Sequence, residues 1–220
     1  YLAEEIRNEG LVRSLEGFSR FLEVAALMNS QVINAATTAR DTGIARSTVK
    51  AYFDVLTDTM VGAFLPAWRA RARVKETAHH KFYFFDPGVA RLLGTHQQAI
   101  PLHQTERGPL LETWVHHELR AWMHDSQTGG ELSYWRVQSG LEVDFVWRRG
   151  DRRVGIEVKA SDRWRSAEGD GLRALHQAVG LERSVVIYLG ERRLKDGAID
   201  VFSLWDFAQE LNRGNILPPV

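Results

Sequence analysis

Cysteine is missing from all 220 residues, which removes disulfides, thiolate zinc sites and thiol nucleophiles together and fits a reducing compartment. Any metal must then sit on oxygen or imidazole ligands. No apolar run approaches the roughly 20 residues that span a bilayer, and the opening YLAEEIRNEG has neither the basic start nor the apolar stretch of a secretory signal. The chain therefore reads as cytoplasmic, with no membrane partner. An excess of either charge is also lacking, since 28 Lys and Arg face 28 Asp and Glu. A case for nucleic acid must come from a local basic patch. There is no internal repeat and no low-complexity tract. The phosphate-cradling pattern G-x-x-x-x-G-K-[ST] does not occur, which places ATP binding outside this sequence. The chain starts at Tyr1 in helical pattern without a methionine, and is expected to be a piece of something longer. What is present, 44% hydrophobic and 25% charged residues, is enough for one large core or two small ones.

Leu11, Leu15, Phe18, Phe21, Leu22, Ala25 and Leu27 recur at helical spacing and predict a core-facing helix. In AATTARDTGIARSTVKAYFDVLTDTM a short helix from Ala35 to Asp41 should stop at Gly43. A second should start at the cap candidate Ser47 and run to about Thr57. VGAFLPAW and KFYFFD read as two strands around the basic loop RARARVK, and VARLL as a closing helix. Residues 94–108, aperiodic and holding Pro101, read as a linker between a domain at 1–93 and another at 109–220. The second half alternates: a helix from Pro109 to Asp125, strands near 132–137, 141–148 and 153–159, a helix near 167–179, strands near 184–189 and 199–203, and a last helix from Leu204 to Arg213. Strand, helix, strand after residue 153 implies a crossover, with Val185–Leu189 parallel to the strand ending at Val158. The fold class expected is α/β, α+β for the chain as a whole.

Period two in GLEVDFVW sets Glu142 and Asp144 on one face and Val143 and Phe145 on the other; in VGIEVKA it pairs Glu157 with Lys159. The polar turn RRGDRR between them makes a hairpin that can lay Asp144 beside Glu157 and Lys159. Two carboxylates so close repel, and Mg2+ or Mn2+, which takes one or two carboxylates plus water and phosphate oxygens, would neutralise them. Such a metal polarises a scissile phosphate, and the lysine is a point charge beside it. On the preceding helix the wheel puts Leu111, Val115, Glu118 and Trp122 on one face, which makes Glu118 the inward carboxylate by position. His116 reads as a half-exposed residue, Trp114 and Trp122 as core.

Gly108-x-x-x-Glu112 on a helix, Asp144 at a strand end and Glu157-x-Lys159 on the next strand resemble the PD-(D/E)XK nuclease family. The order αβββαβ is similar as well. The resemblance implies a restriction-endonuclease-like domain in which Glu112, Asp144 and Glu157 bind the metal and Lys159 assists phosphodiester hydrolysis. Val143 stands where the name-giving proline would be. The resemblance favours Glu112 as the helix carboxylate, leaving Glu118 as second choice.

ARDTGIARSTVKAYFDVL resembles a winged helix-turn-helix, with Arg46, Ser47, Thr48 and Lys50 placed to face a major groove and Arg69, Arg71, Arg73 and Lys75 in the wing. Asp41, Asp54 and Asp58 oppose phosphate contact, and winged helices also dock proteins, so DNA and a protein partner both stay open. Taken together, YLAEEI, FLEVAALMNSQVIN, KFYFFDPGVARLL, GPLLETWVHHEL and LEVDFVW…GIEVKA resemble the C-terminal region, a domain of unknown function (DUF 4143), of bacterial and archaeal AAA-type ATPases. That resemblance implies a P-loop ATPase upstream. It leaves open whether the nuclease-like part cuts nucleic acid or serves as an inactive DNA- or protein-binding module.

Overall fold

A computed structural model describes residues 12, 14–68, 79–95 and 101–217. They group into two units by packing, one within 1–64 and 79–113, the other within 65–78 and 114–220. The division falls within a continuous helix, later in the chain than the linker expected at 94–108.

In the first unit, α1 (Leu15–Leu27) opens where the Ser14 hydroxyl accepts the Gly17 N–H at 3.2 Å. Its stripe of Phe18, Phe21, Leu22 and Ala25 is buried. α2 (Ala35–Thr42) is capped by Asn34 and ends on Gly43 at φ +68°, a left-handed position that suits glycine. α3 (Arg46–Asp58) starts one residue before the expected cap: Ala45 holds the cap position and Ser47 lies inside the first turn. Val49 N–H donates to the Ala45 carbonyl at 3.0 Å, so helical bonding begins at Ala45, ahead of Ser47. Val49, Tyr52, Phe53 and Leu56 of α3 face α1, with Phe53 edge-on to Phe21 at 4.8 Å. A two-stranded hairpin follows, β1 (Gly62–Leu65) and β2 (Lys81–Phe84). Gly62 is required there, because a Cβ would sit 2.3 Å from the Phe82 ring. The connection carrying Arg69, Arg71, Arg73 and Lys75 lies outside the described residues. α4 (Pro87–Thr95) begins where Asp86 accepts the Val89 N–H.

α5 (Gln104–Asp125) starts five residues earlier than the sequence pattern suggests, as Glu106 accepts the His103 N–H and closes the first turn. Its later part enters the second unit, ahead of β3 (Glu131–Arg136), β4 (Glu142–Arg149), β5 (Arg152–Lys159) and a 3-10 turn at Ser166–Gly169. Then come α6 (Asp170–Val179), β6 (Arg183–Tyr188), β7 (Leu194–Asp196), β8 (Ile199–Ser203) and α7 (Leu204–Asn212). The six strands form one mixed sheet in the order β3-β4-β5-β6-β8-β7. β5, β6 and β8 are mutually parallel, the other pairs antiparallel. The β5-α6-β6 crossover is the one the alternation predicts, with Val158 opposite Ile187. β7, three residues of which two are exposed, carries no hydrophobic pattern and is a strand only because β8 offers it an edge. One face of the sheet meets α6 through Val143, Val146, Val186, Leu172 and Leu175. Gly171 makes that approach possible, since a Cβ there would come within 2.1 Å of the Glu142 carbonyl oxygen. α5 covers Phe145 through His116, with the rings stacked at 6.0 Å. No helix among the described residues is long and apolar enough to cross a membrane.

Candidate active site

β4 and β5 pair with Phe145 opposite Ile156. The regular ladder ends at that pair, one residue short of Asp144 and Glu157. The expected face of Asp144 needs correction. Between Ser133–Val146 and Trp135–Val143 the β3 strand advances two residues while β4 advances three. That is a β-bulge on β4 at Asp144–Phe145. It breaks the period-two rule, so Val143 and Val146, three apart, pack in the same apolar cluster against α6. At the bulge the Asp144 side chain turns to β5, and its Oδ2 accepts the Val158 N–H at 2.9 Å. The aspartate thus takes over a bond to β5 where the regular β4 ladder has ended.

Asp144 and Glu157 are 7% and 6% exposed. Lys159 extends over Glu157 and donates to its Oε1 at 2.5 Å. Burial pushes the Lys159 ammonium towards neutrality, but the Glu157 charge and hydrogen bond, with Asp144 and Glu168 behind them, outweigh it and hold its pKa above the ordinary lysine value. Lys159 is therefore a cation at neutral pH. Asp144, bonded to the backbone N–H between Glu157 and Lys159, thus stands beside them in a largely buried place. This donor set fits a hard divalent cation, which asks for one or two carboxylates and fills its octahedron with water and phosphate oxygens.

The structure brings Asp144, Glu157 and Lys159 together through the Val158 N–H and the Lys159–Glu157 bond. Glu112 belongs to the first unit, where Lys81 lies 3.5 Å from its Oε2 and the Tyr83 hydroxyl donates to the same oxygen at 3.1 Å. Both partners come from β2, and the Lys81 side chain is 5% exposed. A lysine among four aromatics in KFYFF was the available signal that a countercharge must approach that strand. Glu118 is half-buried on α5. Among the described residues, no group of three or more Asp, Glu or His is placed to hold a metal ion. His116 differs from its expectation. It is buried against Phe145, and its pKa is lowered to about 3 by burial first, with the Arg120 and His117 charges adding. Trp114 and Trp122 are half-buried, Trp122 donating to the Leu217 carbonyl at 3.3 Å.

In the first unit Arg46, Ser47 and Lys50 are exposed at the start of α3 and Thr48 is half-buried. Asp41, Asp54 and Asp58 are exposed on the same two helices.

Residues 107–207 match the family model described as "Domain of unknown function (DUF4143)", and residues 1–99 match a second, "Domain of unknown function (DUF8612)". "Uncharacterized protein Rv2008c" of Mycobacterium tuberculosis and "Uncharacterized protein Mb2031c" of Mycobacterium bovis are each 26% identical over 194 residues. The match takes in 88% of this chain and 43% of either relative, so the chain spans less than half their length. Among solved structures, protein VC1899 from Vibrio cholerae aligns at 15% identity and a TM-score of 0.33, over 92% of this chain and 55% of that one.

Proposed function

We propose that the C-terminal unit is a PD-(D/E)XK nuclease-like domain that hydrolyses phosphodiester bonds of DNA with Mg2+ or Mn2+, and that the chain is the C-terminal part of an AAA-type ATPase. The carrying observation is a pair of buried carboxylates at the β4–β5 junction, with Asp144 accepting the N–H of Val158, the residue next to Glu157, and Lys159 donating to Glu157. Asp144 and Glu157 would hold the metal, which supplies charge for a phosphoryl oxygen and a more acidic water. Lys159 is a fixed positive charge beside them and, being protonated, serves as an electrostatic partner and not as a base. The helix-turn-helix of α2 and α3 would bring the chain to DNA as a winged helix through Arg46, Ser47, Thr48 and Lys50. ATP belongs to an upstream domain outside this sequence.

A second reading has an observation of its own. In the first unit Glu112 accepts from the Lys81 ammonium and the Tyr83 hydroxyl, as a structural carboxylate does. The fold then serves as a DNA- or protein-binding module without cleavage. A metal titration followed by incubation with plasmid, linear and single-stranded DNA decides between the two.

Mg2+ or Mn2+ should raise the melting temperature of the wild type, since a ligand of the folded state alone stabilises by mass action. Asp144→Asn should abolish that rise. It should leave the metal-free protein as stable or more so, because asparagine can still accept the Val158 N–H while a carboxylate near Glu157 is removed. Clear destabilisation of the apo protein by Asp144→Asn would make Asp144 a structural residue.

DNA binding should weaken with rising salt, and Arg46→Ala and Lys50→Ala should each reduce the slope of log K against log salt by about one phosphate contact. Binding insensitive to both substitutions would turn α3 into a protein-docking surface.

A further inference from the structure

We infer that the loops leaving β5 and β6 form a rim of arginines that grips the phosphate backbone of DNA next to the Asp144–Glu157–Lys159 cluster. This rests on the nuclease reading above and adds the residues that would hold the strand. β5 and β6 are parallel and end level, with Lys159 opposite Tyr188. Their following loops therefore emerge at one end of the sheet, the carboxyl end, where open α/β sheets take their ligands. The first loop carries Arg163 and Arg165 and the second Arg192, all exposed.

Several other guanidiniums of the unit are engaged: Arg152 with Glu182, Arg173 with Asp170 and Asp196, Arg183 with Asp200, Arg193 with Glu210. Arg163, Arg165 and Arg192 make no side-chain ion pair with a described residue, although Asp162 and Glu191 lie in the same loops. The backbone beneath them is fixed. Leu189 N–H donates to the Ser161 carbonyl at 2.9 Å, and Gly190 is pressed so close to the Asp162 carbonyl that a Cβ would lie 2.7 Å from it. Trp164, between the two arginines, turns inward, joins the α6 cluster and donates to Asp196 at 3.1 Å. The Tyr188 hydroxyl donates to the Arg192 carbonyl at 2.6 Å and accepts the Arg192 N–H at 3.2 Å. The result is three planar, permanently charged forks on a rigid base at the strand end that bears Lys159. Phosphate oxygens are their natural bidentate partners.

The test uses the full chain carrying Lys50→Ala, which lowers the contribution of α3, and a fluorescein-labelled DNA duplex in Ca2+. Arg163→Gln, Arg165→Gln and Arg192→Gln together should weaken binding tenfold or more and reduce the salt slope by about 2 to 3. The melting temperature should not change, and Arg120→Gln, an exposed arginine on α5, should have no effect. Should the triple variant lose stability, Arg163→Gln and Arg192→Gln singly must each show part of the loss. Unchanged affinity and slope overturn the rim, as does a wild type that binds no duplex. So does displacement of the duplex by millimolar inorganic phosphate, which would mark a site for small anions. Failure of the nuclease reading looks different. The duplex would then bind through the rim while Mn2+ neither raises the melting temperature nor supports cleavage.

Discussion

Lys159→Met should cut metal-dependent DNA cleavage by about 10² while leaving Mn2+ affinity unchanged or tighter, the loss associated with one transition-state stabiliser. The asymmetry follows from the geometry. Lys159 donates to Glu157, and its ammonium repels an incoming cation while attracting the charge that builds on a reacting phosphate. Glu157→Gln should instead weaken Mn2+ binding and cleavage together, because it removes a ligand. Calorimetric Mn2+ titration beside single-turnover cleavage separates the two patterns. If Lys159→Met loses metal affinity in step with activity, the lysine organises the carboxylates and plays no part at the phosphate. If the wild type binds Mn2+ and cuts no DNA or RNA, the binding-module reading stands.

The second large effect concerns acid stability. His116 is buried with a pKa of about 3 in place of the ordinary 6.5. In the unfolded chain it takes up a proton as pH falls below about 6.5, while in the folded protein it stays neutral until about 3. The unfolded state therefore binds more protons throughout that window, and stability falls with pH across it. Near pH 3 the loss from this residue is on the order of 5 kcal/mol. His116→Gln, which cannot take up that proton, should flatten the urea-unfolding free energy between pH 6 and pH 4 relative to wild type. It will cost something at pH 7 through the lost stacking on Phe145, so the diagnostic is the slope with pH and not the absolute stability. Equal slopes in the two proteins would mean that His116 titrates normally.

Much of this structure is legible in the sequence where the determining interactions are local. Gly43 ends α2 because its left-handed φ is a property of one residue, and the β4–β5 hairpin follows from two alternating runs around Gly150. The crossover needs only the order of elements. The rest depends on chain segments far apart in sequence. Residues 81 and 83 lie 31 and 29 positions from Glu112, and no periodicity links them. The bulge is invisible because a period-two reading assumes that both strands advance equally, and that assumption fails at the residue the argument most needed. Arg163, Arg165 and Arg192 look like any exposed arginines until their neighbours are known. His116 was misplaced for a related reason: the helical wheel locates a face but says nothing of an aromatic ring arriving on it from β4.

The extra residue on β4 also sets the terms on which this domain can change. Deleting a residue at Asp144–Phe145 would let β3 and β4 pair without interruption, giving a more regular ladder and bringing Val143 into simple alternation with its neighbours. A library of single-residue deletions screened for thermal stability alone should therefore tolerate loss at this point better than within Val146–Arg148, where deletion shifts a continuous ladder. Screened for metal binding, the preference should reverse. A lineage freed from the need for the carboxylate pair would be free to shed that residue, and a one-residue gap in β4 would then mark a relative that has lost the site.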